Sequence, residues 1–376
     1  MKFRCERDVL ADALGSAGRA ATNRTGTLPV LAGVRLEVVG DTLTITGTDL
    51  ELTIRLTIEV GGERDGATVV PARLVGDIVK ALPAGAVEVD LAASPAAGDG
   101  SSEMSISAGR SQFSVRPLSI DDYPAQSEPA ADAVTLPAAA MADALRQVVR
   151  AASTDDARAV LTGVLLAAED DGLRMVATDS YRLAVRDLPE SSMLGSGQKV
   201  LIPGRALSEL QRLMGNEESL MVRLGEREAT FEAGSTRLST RLIEGEFPNY
   251  RNLLPSSYPN LLTISKPAII EAIRRVKILA QYSTPDSTPV RMRLGGDTVE
   301  LKAIAQDFGN AVEVIDAQYE GAEMTVAFNP DYLLAGIDAI DADDVTLATM
   351  DPMKPAVLRG AGQDDYLYLL MPVRVP

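Results

Sequence analysis

Histidine is absent from all 376 residues, which removes the commonest general acid–base group and the commonest transition-metal ligand together. Tryptophan is absent too. Aromatic residues are 4% of the chain against 46% hydrophobic residues overall, so any core is built from Leu, Val, Ile, Ala and Met. The single cysteine, Cys5, excludes an internal disulfide, and its alternation with Phe3 on a strand-like start predicts a buried thiol. No apolar run approaches the roughly 20 residues of a membrane-spanning helix. The weakly polar stretch from Ala159 to Ala168 is far too short, and the start MKFRCERDVLADAL carries charge throughout with no apolar signal segment. The expectation is a cytoplasmic protein.

Carboxylate-only chemistry survives the loss of histidine, so the acidic pairs need separate reading. Asp170-Asp171-Gly172 occupies the same place between strand-like runs as Gly40-Asp41 and Gly295-Gly296-Asp297, which is hairpin-turn chemistry. Asp155-Asp156 and Asp343-Asp344 follow helical segments and read as solvated loops. Gly195-Ser196-Gly197 has the spacing of neither a nucleophile elbow nor a phosphate loop. The reading is no catalytic residue, no metal and no cofactor.

What is present is threefold repetition. Leu36, Leu166 and Leu294 stand 130 and 128 residues apart, and Leu43, Leu173, Leu301 and Asp49, Asp179, Asp307 keep that spacing. The amphipathic stripe Leu10, Leu14, Ala17, Ala21 returns as Met141, Leu145, Val148, Ala152 and as Ile269, Ile273, Val276, Ala280. A second helix follows a strand-like run ending in Pro71, Pro203 or Pro330, with proline expected at the first helical position and apolar Ile78, Leu210 and Ile337 behind it. A period this long is a domain, too long for a solenoid unit of roughly 20 to 50 residues. Three similar domains are expected, at 1–125, 126–255 and 256–376, with proline-containing linkers at 121–137 and 244–267. Each is read as α+β: two helices packed on antiparallel sheet, around its own core.

Charge sets the helices apart. The chain carries a net −17, yet the six predicted helices come to +5 and the remainder to −22. On 266–281 the stripe Ile269, Ile273, Val276 faces one way and Glu271, Arg274, Arg275 the other. A strongly acidic chain repels nucleic acid unless the cationic surface is enclosed. With helices about 9 Å apart, six in a circle leave almost no bore, whereas twelve leave roughly 24 Å clear once helix width is subtracted. Two copies joined head to tail would supply twelve.

The motifs LPVLAGV, TGTDLEL, VATDSYRLAV, GEFPNYRNLLP and YLYLLMPVRV, spread over the whole chain, resemble those of the bacterial sliding clamp, the beta subunit of DNA polymerase III. The resemblance implies half of a head-to-tail dimeric ring that encircles duplex DNA without sequence preference and tethers the replicative polymerase. It implies DNA-facing cations at Arg24, Arg73, Arg146, Arg150, Arg158, Arg205, Arg274, Arg275 and Lys277, while Asp331 and Asp338 make the last helix unattractive to phosphate. It implies a peptide pocket at Leu161, Thr178, Tyr181, Arg182, Leu183, Pro248, Leu253, Met353, Pro355, Leu369, Met371, Pro372, Val373 and Arg374, a run that here ends in an additional Pro376. It implies a ring joint of Arg110, Phe113 and Val115 against Ile278, Leu279, Asp307 and Glu313. Implied partners are the polymerase alpha subunit, the clamp loader and other proteins carrying short clamp-binding peptides, at the nucleoid. Two rival readings stand beside it: a peptide-binding scaffold that never touches nucleic acid, and a carboxylate-dependent metal enzyme.

Overall fold

The computed structural model describes residues 1–21, 28–93, 102–125, 129, 131–169, 172–189, 191, 193–254, 257–280, 288–305 and 307–374. Two compact units form: residues 1–139 with 206–242, and residues 140–205 with 243–376. The helices are α1 (Arg7–Gly18), α2 (Ala72–Ala81), α3 (Ala138–Val148), α4 (Gly204–Met214), α5 (Lys266–Ala280) and α6 (Pro330–Asp338). The predicted stripes are the buried faces within the helices, while the last members of the first two, Ala21 and Ala152, lie beyond the helix ends and are half-buried. Leu10, Leu14 and Ala17 are buried on α1, Met141, Leu145 and Val148 on α3, and Ile269, Ile273, Val276 and Ala280 on α5. One sequence expectation needs correction. Only Pro330 takes the first helical position; Pro71 and Pro203 end the strands Gly66–Pro71 and Lys199–Pro203, so their fixed φ serves the strand-to-helix corner instead. Ile78 is half-buried, and Val75 and Val79 are the buried pair on α2.

In the first unit a five-stranded sheet has the strand Lys2–Glu6 between Gly61–Arg64 and Ala86–Ala93, and ends in Ser102–Ala108 and the edge strand Ser111–Val115. Phe3 and Cys5 point into its core, as the alternation predicts, and burial raises the thiol pKa. The second sheet of this unit has eight strands. Ala133–Pro137, Ser219–Leu224, Glu228–Ala233 and Thr236–Arg241 come from the middle repeat, and Leu52–Glu59, Thr42–Thr48, Gly33–Val39 and Gly66–Pro71 from the first. They join where Thr236–Arg241 pairs antiparallel with Leu52–Glu59. Close packing of α1 on this sheet depends on Gly47, where a Cβ would come 2.0 Å from the Ala17 carbonyl oxygen.

The second unit repeats the device. Its nine-stranded sheet runs Lys199–Pro203, Gly163–Glu169, Gly172–Thr178, Arg182–Pro189, then Tyr366–Leu370, Ala356–Gly360, Asp344–Thr349, Asn260–Ser265 and Gln318–Glu320. The joint is the antiparallel pair Arg182–Pro189 with Tyr366–Leu370. A four-stranded sheet, Gly309–Asp316, Thr298–Ala305, Val290–Gly295 and Met324–Phe328, carries α5 on one face. So the expectation of one separate core per repeat gives way to sheets that run on across the repeat boundaries. The physical reason is the edge strand, whose unpaired N–H and C=O groups find partners in the neighbouring repeat.

Candidate functional site

A tight turn recurs where each repeat meets the next. In the first unit Thr48 Oγ1 accepts from Leu50 N at 3.1 Å, and Asp49 Oδ1 accepts from the amides of Glu51 at 3.1 Å and Leu52 at 2.8 Å. In the second, Thr178 Oγ1 accepts from Ser180 N at 3.2 Å, and Asp179 Oδ1 from Tyr181 N at 2.9 Å and Arg182 N at 3.0 Å. These bonds hold Leu50 and Ser180 at φ of 76° and 80°, a left-handed conformation that costs about 1–2 kcal/mol for a side-chain-bearing residue. In the second unit Asp179 does more. Buried itself, it binds Arg182 Nε through Oδ2 at 3.0 Å and so fixes both the loop and its cation.

Around that turn several of the predicted peptide-pocket residues meet. Leu183 faces Leu369 across the joint, and Val357 pairs with Leu369 from the other side. These side chains belong to one buried cluster with Leu165, Val176, Val185, Leu201, Tyr250 and Leu367, overlain by half-buried Val160, Ile243, Phe247, Leu254 and Tyr258. The Tyr181 carbonyl accepts from Met371 N at 2.9 Å, which ties the terminal segment to the turn, and Thr178 donates to the Arg182 carbonyl at 2.7 Å. Leu161 is buried, with its carbonyl held by Ser153 N at 2.8 Å. Of the other predicted residues, Tyr181 is 58% exposed and Met353 54%, and Leu253, Met371 and Val373 are exposed too. Pro355 and Pro372 are half-buried, and Pro248 and Arg374 exposed.

Two residues escaped the sequence reading. Tyr332 of α6 stacks against Tyr181 with ring centroids 6.4 Å apart, and the Arg182 guanidinium lies 4.4 Å from its ring centre. A cation over an aromatic face is held in place without losing its hydrogen-bond donors. Nothing in the local pattern of α6 announces this; only the fold brings Tyr332 to Arg182. The position of α6 depends on Gly336, where a Cβ would meet the Tyr368 ring at 2.4 Å. Burial pushes the Tyr368 phenol up to about 12, and it stays protonated to donate to the Tyr332 carbonyl at 3.0 Å. Asp179 is the second. Its signal was in the sequence, as the repeated Thr-Asp dipeptide.

The same rank of side chains in the first unit is polar. Thr53 faces Ser239 where Leu183 faces Leu369, and Arg55 faces Arg237 where Val185 faces Leu367. Identical pairing geometry therefore carries apolar side chains in one unit and polar ones in the other.

Arg73, Arg205 and Arg274 are exposed on α2, α4 and α5, with Arg73 3.9 Å from the Asp77 carboxylate. Arg146 binds Asp341 and the Ala339 carbonyl, Arg150 binds Asp338 at 3.3 Å and the Ala335 carbonyl at 3.3 Å, and Lys266 donates to the Ile340 carbonyl. These cations satisfy the carbonyl end of α6 and offset its negative dipole. Lys277 pairs with Asp331, and Arg275 grips Glu313 through two bonds of 2.9 and 3.0 Å, which hold the Glu313 carboxyl below its usual pKa. The acids Asp331 and Asp338 thus bind cations of their own unit. Arg158 bonds Asp155 at 3.0 Å, lowering the Asp155 pKa, and reaches Ser180 Oγ at 3.2 Å, so it braces the turn described above. Arg24 lies outside the described residues.

Of the predicted joint residues, Phe113 is 40% and Ile278 60% exposed, Leu279 is half-buried, Arg110 and Asp307 are exposed, and Val115 is buried. Phe113 and Val115 lie on the edge strand of the five-stranded sheet, Glu313 on the edge strand of the four-stranded one. Exposed Val312 and Val314 lie on this second edge, and exposed Phe308 in the turn just before it.

Three family descriptions cover the chain. The N-terminal, central and C-terminal domains of the DNA polymerase III beta subunit match residues 1–127, 135–249 and 251–374. The beta sliding clamp of Streptomyces coelicolor is 34% identical over the full length of both chains. This chain belongs to the DNA polymerase III beta subunit family, the sliding clamps. Among solved structures, the Bacillus subtilis sliding clamp superposes with a TM-score of 0.88 at 27% identity, each chain fully covered. The C. crescentus beta sliding clamp gives 0.89 at 28% identity, covering 100% of this chain and 99% of the other. The family assignment makes this a non-catalytic processivity factor of DNA replication built from three tandem clamp domains. Among the described residues no helix is long and apolar enough to cross a membrane.

Proposed function

We propose that two copies of this chain close head to tail into a ring around duplex DNA, and that the apolar groove of the second unit captures linear peptides from the polymerase alpha subunit, the clamp loader and other partners. The observation that carries the ring is a pair of sheet edges, Ser111–Val115 and Gly309–Asp316, each open among the described residues and each beside exposed apolar side chains. Open edges invite pairing, and Phe113 against Ile278 and Leu279 is the apolar centre such a joint wants. Arg110 and Asp307 flank it with opposite charge, while Glu313 enters already neutralised by Arg275.

The bore is lined in this reading by Arg24, Arg73, Arg146, Arg150, Arg158, Arg205, Arg274, Arg275 and Lys277, of which Arg146, Arg150 and Lys277 contribute less because acids and carbonyls hold them. Loose, sequence-independent phosphate contact suits a sliding ring, since base contacts would arrest it. In the groove, Tyr181, Met353 and Met371 give an adaptable apolar lining, and Arg182 orients the peptide. The repeats are taken as 1–125, 126–255 and 256–376, and the place of action as the cytoplasm, at the replisome. Retention on DNA tests the whole. Rings loaded on nicked circular duplex should stay bound at high salt and run off once the circle is cut; equal loss before and after cutting defeats the topological reading.

A further inference from the structure

Oxidation has a narrow target on this chain. Histidine and tryptophan are absent, and the one cysteine, Cys5, is buried with its thiol pKa raised, which suppresses the reactive thiolate. Methionine is the readily oxidised side chain that remains, and there are twelve. Seven are buried. Three more, Met221, Met324 and Met350, are half-buried, and each of their sulphurs accepts a hydrogen bond: from Arg223 Nη2 at 3.3 Å, from Thr349 Oγ1 at 3.6 Å and from Lys354 Nζ at 3.2 Å. A donor on the sulphur lone pair competes with an incoming oxidant for the same electrons. The two exposed methionines are Met353, at 54%, and Met371, at 38%. Both belong to the predicted peptide pocket.

Sheet register places them at one end of the second unit's nine-stranded sheet. Ala356 pairs with Leu370 and Leu370 with Arg182, so the turn carrying Met353 and the segment that begins at Met371 leave the sheet together, beside Tyr181. Their backbones are fixed: Met371 N donates to the Tyr181 carbonyl at 2.9 Å, and Met353 N to Asp351 Oδ1 at 2.8 Å. The thioethers themselves stand in solvent.

We propose that Met353 and Met371 form a reversible oxidation site through which a peroxide releases peptide partners from the groove. This regulation rests on the groove reading given above. In the chemical step the Sδ lone pair attacks one oxygen of the peroxide, and the S–O bond forms as the O–O bond breaks. The departing hydroxide leaves as water with the proton of the transferred hydroxyl, so sulphur gives up two electrons and the peroxide takes them. A flexible apolar side chain thereby becomes a polar, chiral sulfoxide. The sulfoxide oxygen holds water, and an apolar anchor seated against it has to strip that water with no hydrogen bond in return. Methionine sulfoxide reductases reverse the step, oxidising two thiols to a disulfide and releasing the oxygen as water, with one enzyme for each epimer.

The test compares the full-length protein before and after limited hydrogen peroxide treatment. Peptide mass mapping locates the added oxygen, and surface plasmon resonance measures binding of the purified polymerase alpha subunit. Met353 and Met371 should be oxidised ahead of the other methionines, and the dissociation constant should rise about tenfold or more as two apolar contacts become polar. Methionine sulfoxide reductases with dithiothreitol should restore the starting value. The M353L/M371L variant is compared only with its own untreated form, so any effect of the substitution itself drops out, and peroxide should leave its dissociation constant unchanged. Circular dichroism melting of the treated protein separates a change in the groove from loss of fold. The proposal is overturned if other methionines are oxidised first, if the oxidised protein binds as before or loses binding only together with its fold, if M353L/M371L responds to peroxide as strongly as the parent, or if the reductases do not restore binding. An untreated protein that does not bind the alpha subunit defeats the groove reading and the regulation with it, a result distinct from binding that survives oxidation.

Discussion

Truncating Ile278 is the sharpest way to probe the proposed ring joint. Full burial of an isoleucine is worth about 1.5–3 kcal/mol, and with 60% of Ile278 still exposed in the single chain, roughly 1–2 kcal/mol remains to be gained on association. Ile278→Ala forfeits most of that at each joint, and a closed ring has two. The expected loss is about 2–3 kcal/mol per dimer, which at 1.4 kcal/mol per tenfold is roughly a 30- to 150-fold rise in the dimer dissociation constant. Replacing Ile278 and Leu279 together by Asp adds the cost of burying carboxylates against Phe113, and that variant should sediment as a monomer at micromolar concentration. Sedimentation equilibrium over a dilution series measures both. Val39→Ala, which trims a 64% exposed valine at the end of a strand away from either edge, is the control and should leave association unchanged. A dissociation constant for Ile278→Ala that stays within threefold of the parent would refute the reasoning.

Tyr332→Ala should weaken binding of a linear apolar-anchored peptide about fivefold or more through loss of the Arg182 and Tyr181 contacts, with the fold retained by circular dichroism; isothermal titration checks it. Arg146→Ala should lower the melting temperature by several degrees, because the end of α6 loses about 1–3 kcal/mol of charged hydrogen bonding, yet leave retention on circular DNA unchanged. Glu313 has its pKa held down by Arg275, so its stabilising effect is complete above the unfolded carboxyl value of about 4.3 and disappears as pH falls through the lower folded value. Glu313→Gln should therefore flatten the acid limb of a melting-temperature profile below about pH 4.5. Cys5, buried and with a raised pKa, should react with a thiol reagent at neutral pH only after denaturant is added.

Periodicity made much of the fold legible. The stripe Ile269, Ile273, Val276, Ala280 is the buried face of α5, and the alternation of Phe3 and Cys5 is the inward face of a strand, because apolar burial leaves its period in the sequence wherever an element has one wet side. Prolines misled locally: Pro71 and Pro203 fit a strand end as well as a helix start, and only the backbone distinguishes the two. The candidate site was legible in part. Leu183, Leu369, Tyr181 and Met371 meet as the family resemblance implies, but Tyr332 lies on a helix with no signal of its own.

The repeat spacing, the amphipathic helices, the missing histidine and the family motifs were determined by sequence alone, since each is a property of residue type and order along the chain. Tertiary structure decided which cations remain available. Arg146 and Arg274 look alike in sequence, but Arg146 closes the carbonyl end of α6 and Arg274 meets solvent, because pairing depends on what another segment delivers within a few ångströms. It also decided that one strand ladder, built twice, is apolar between Leu183 and Leu369 and cationic between Arg55 and Arg237: cross-strand neighbours are set by register between distant segments, which no local pattern records.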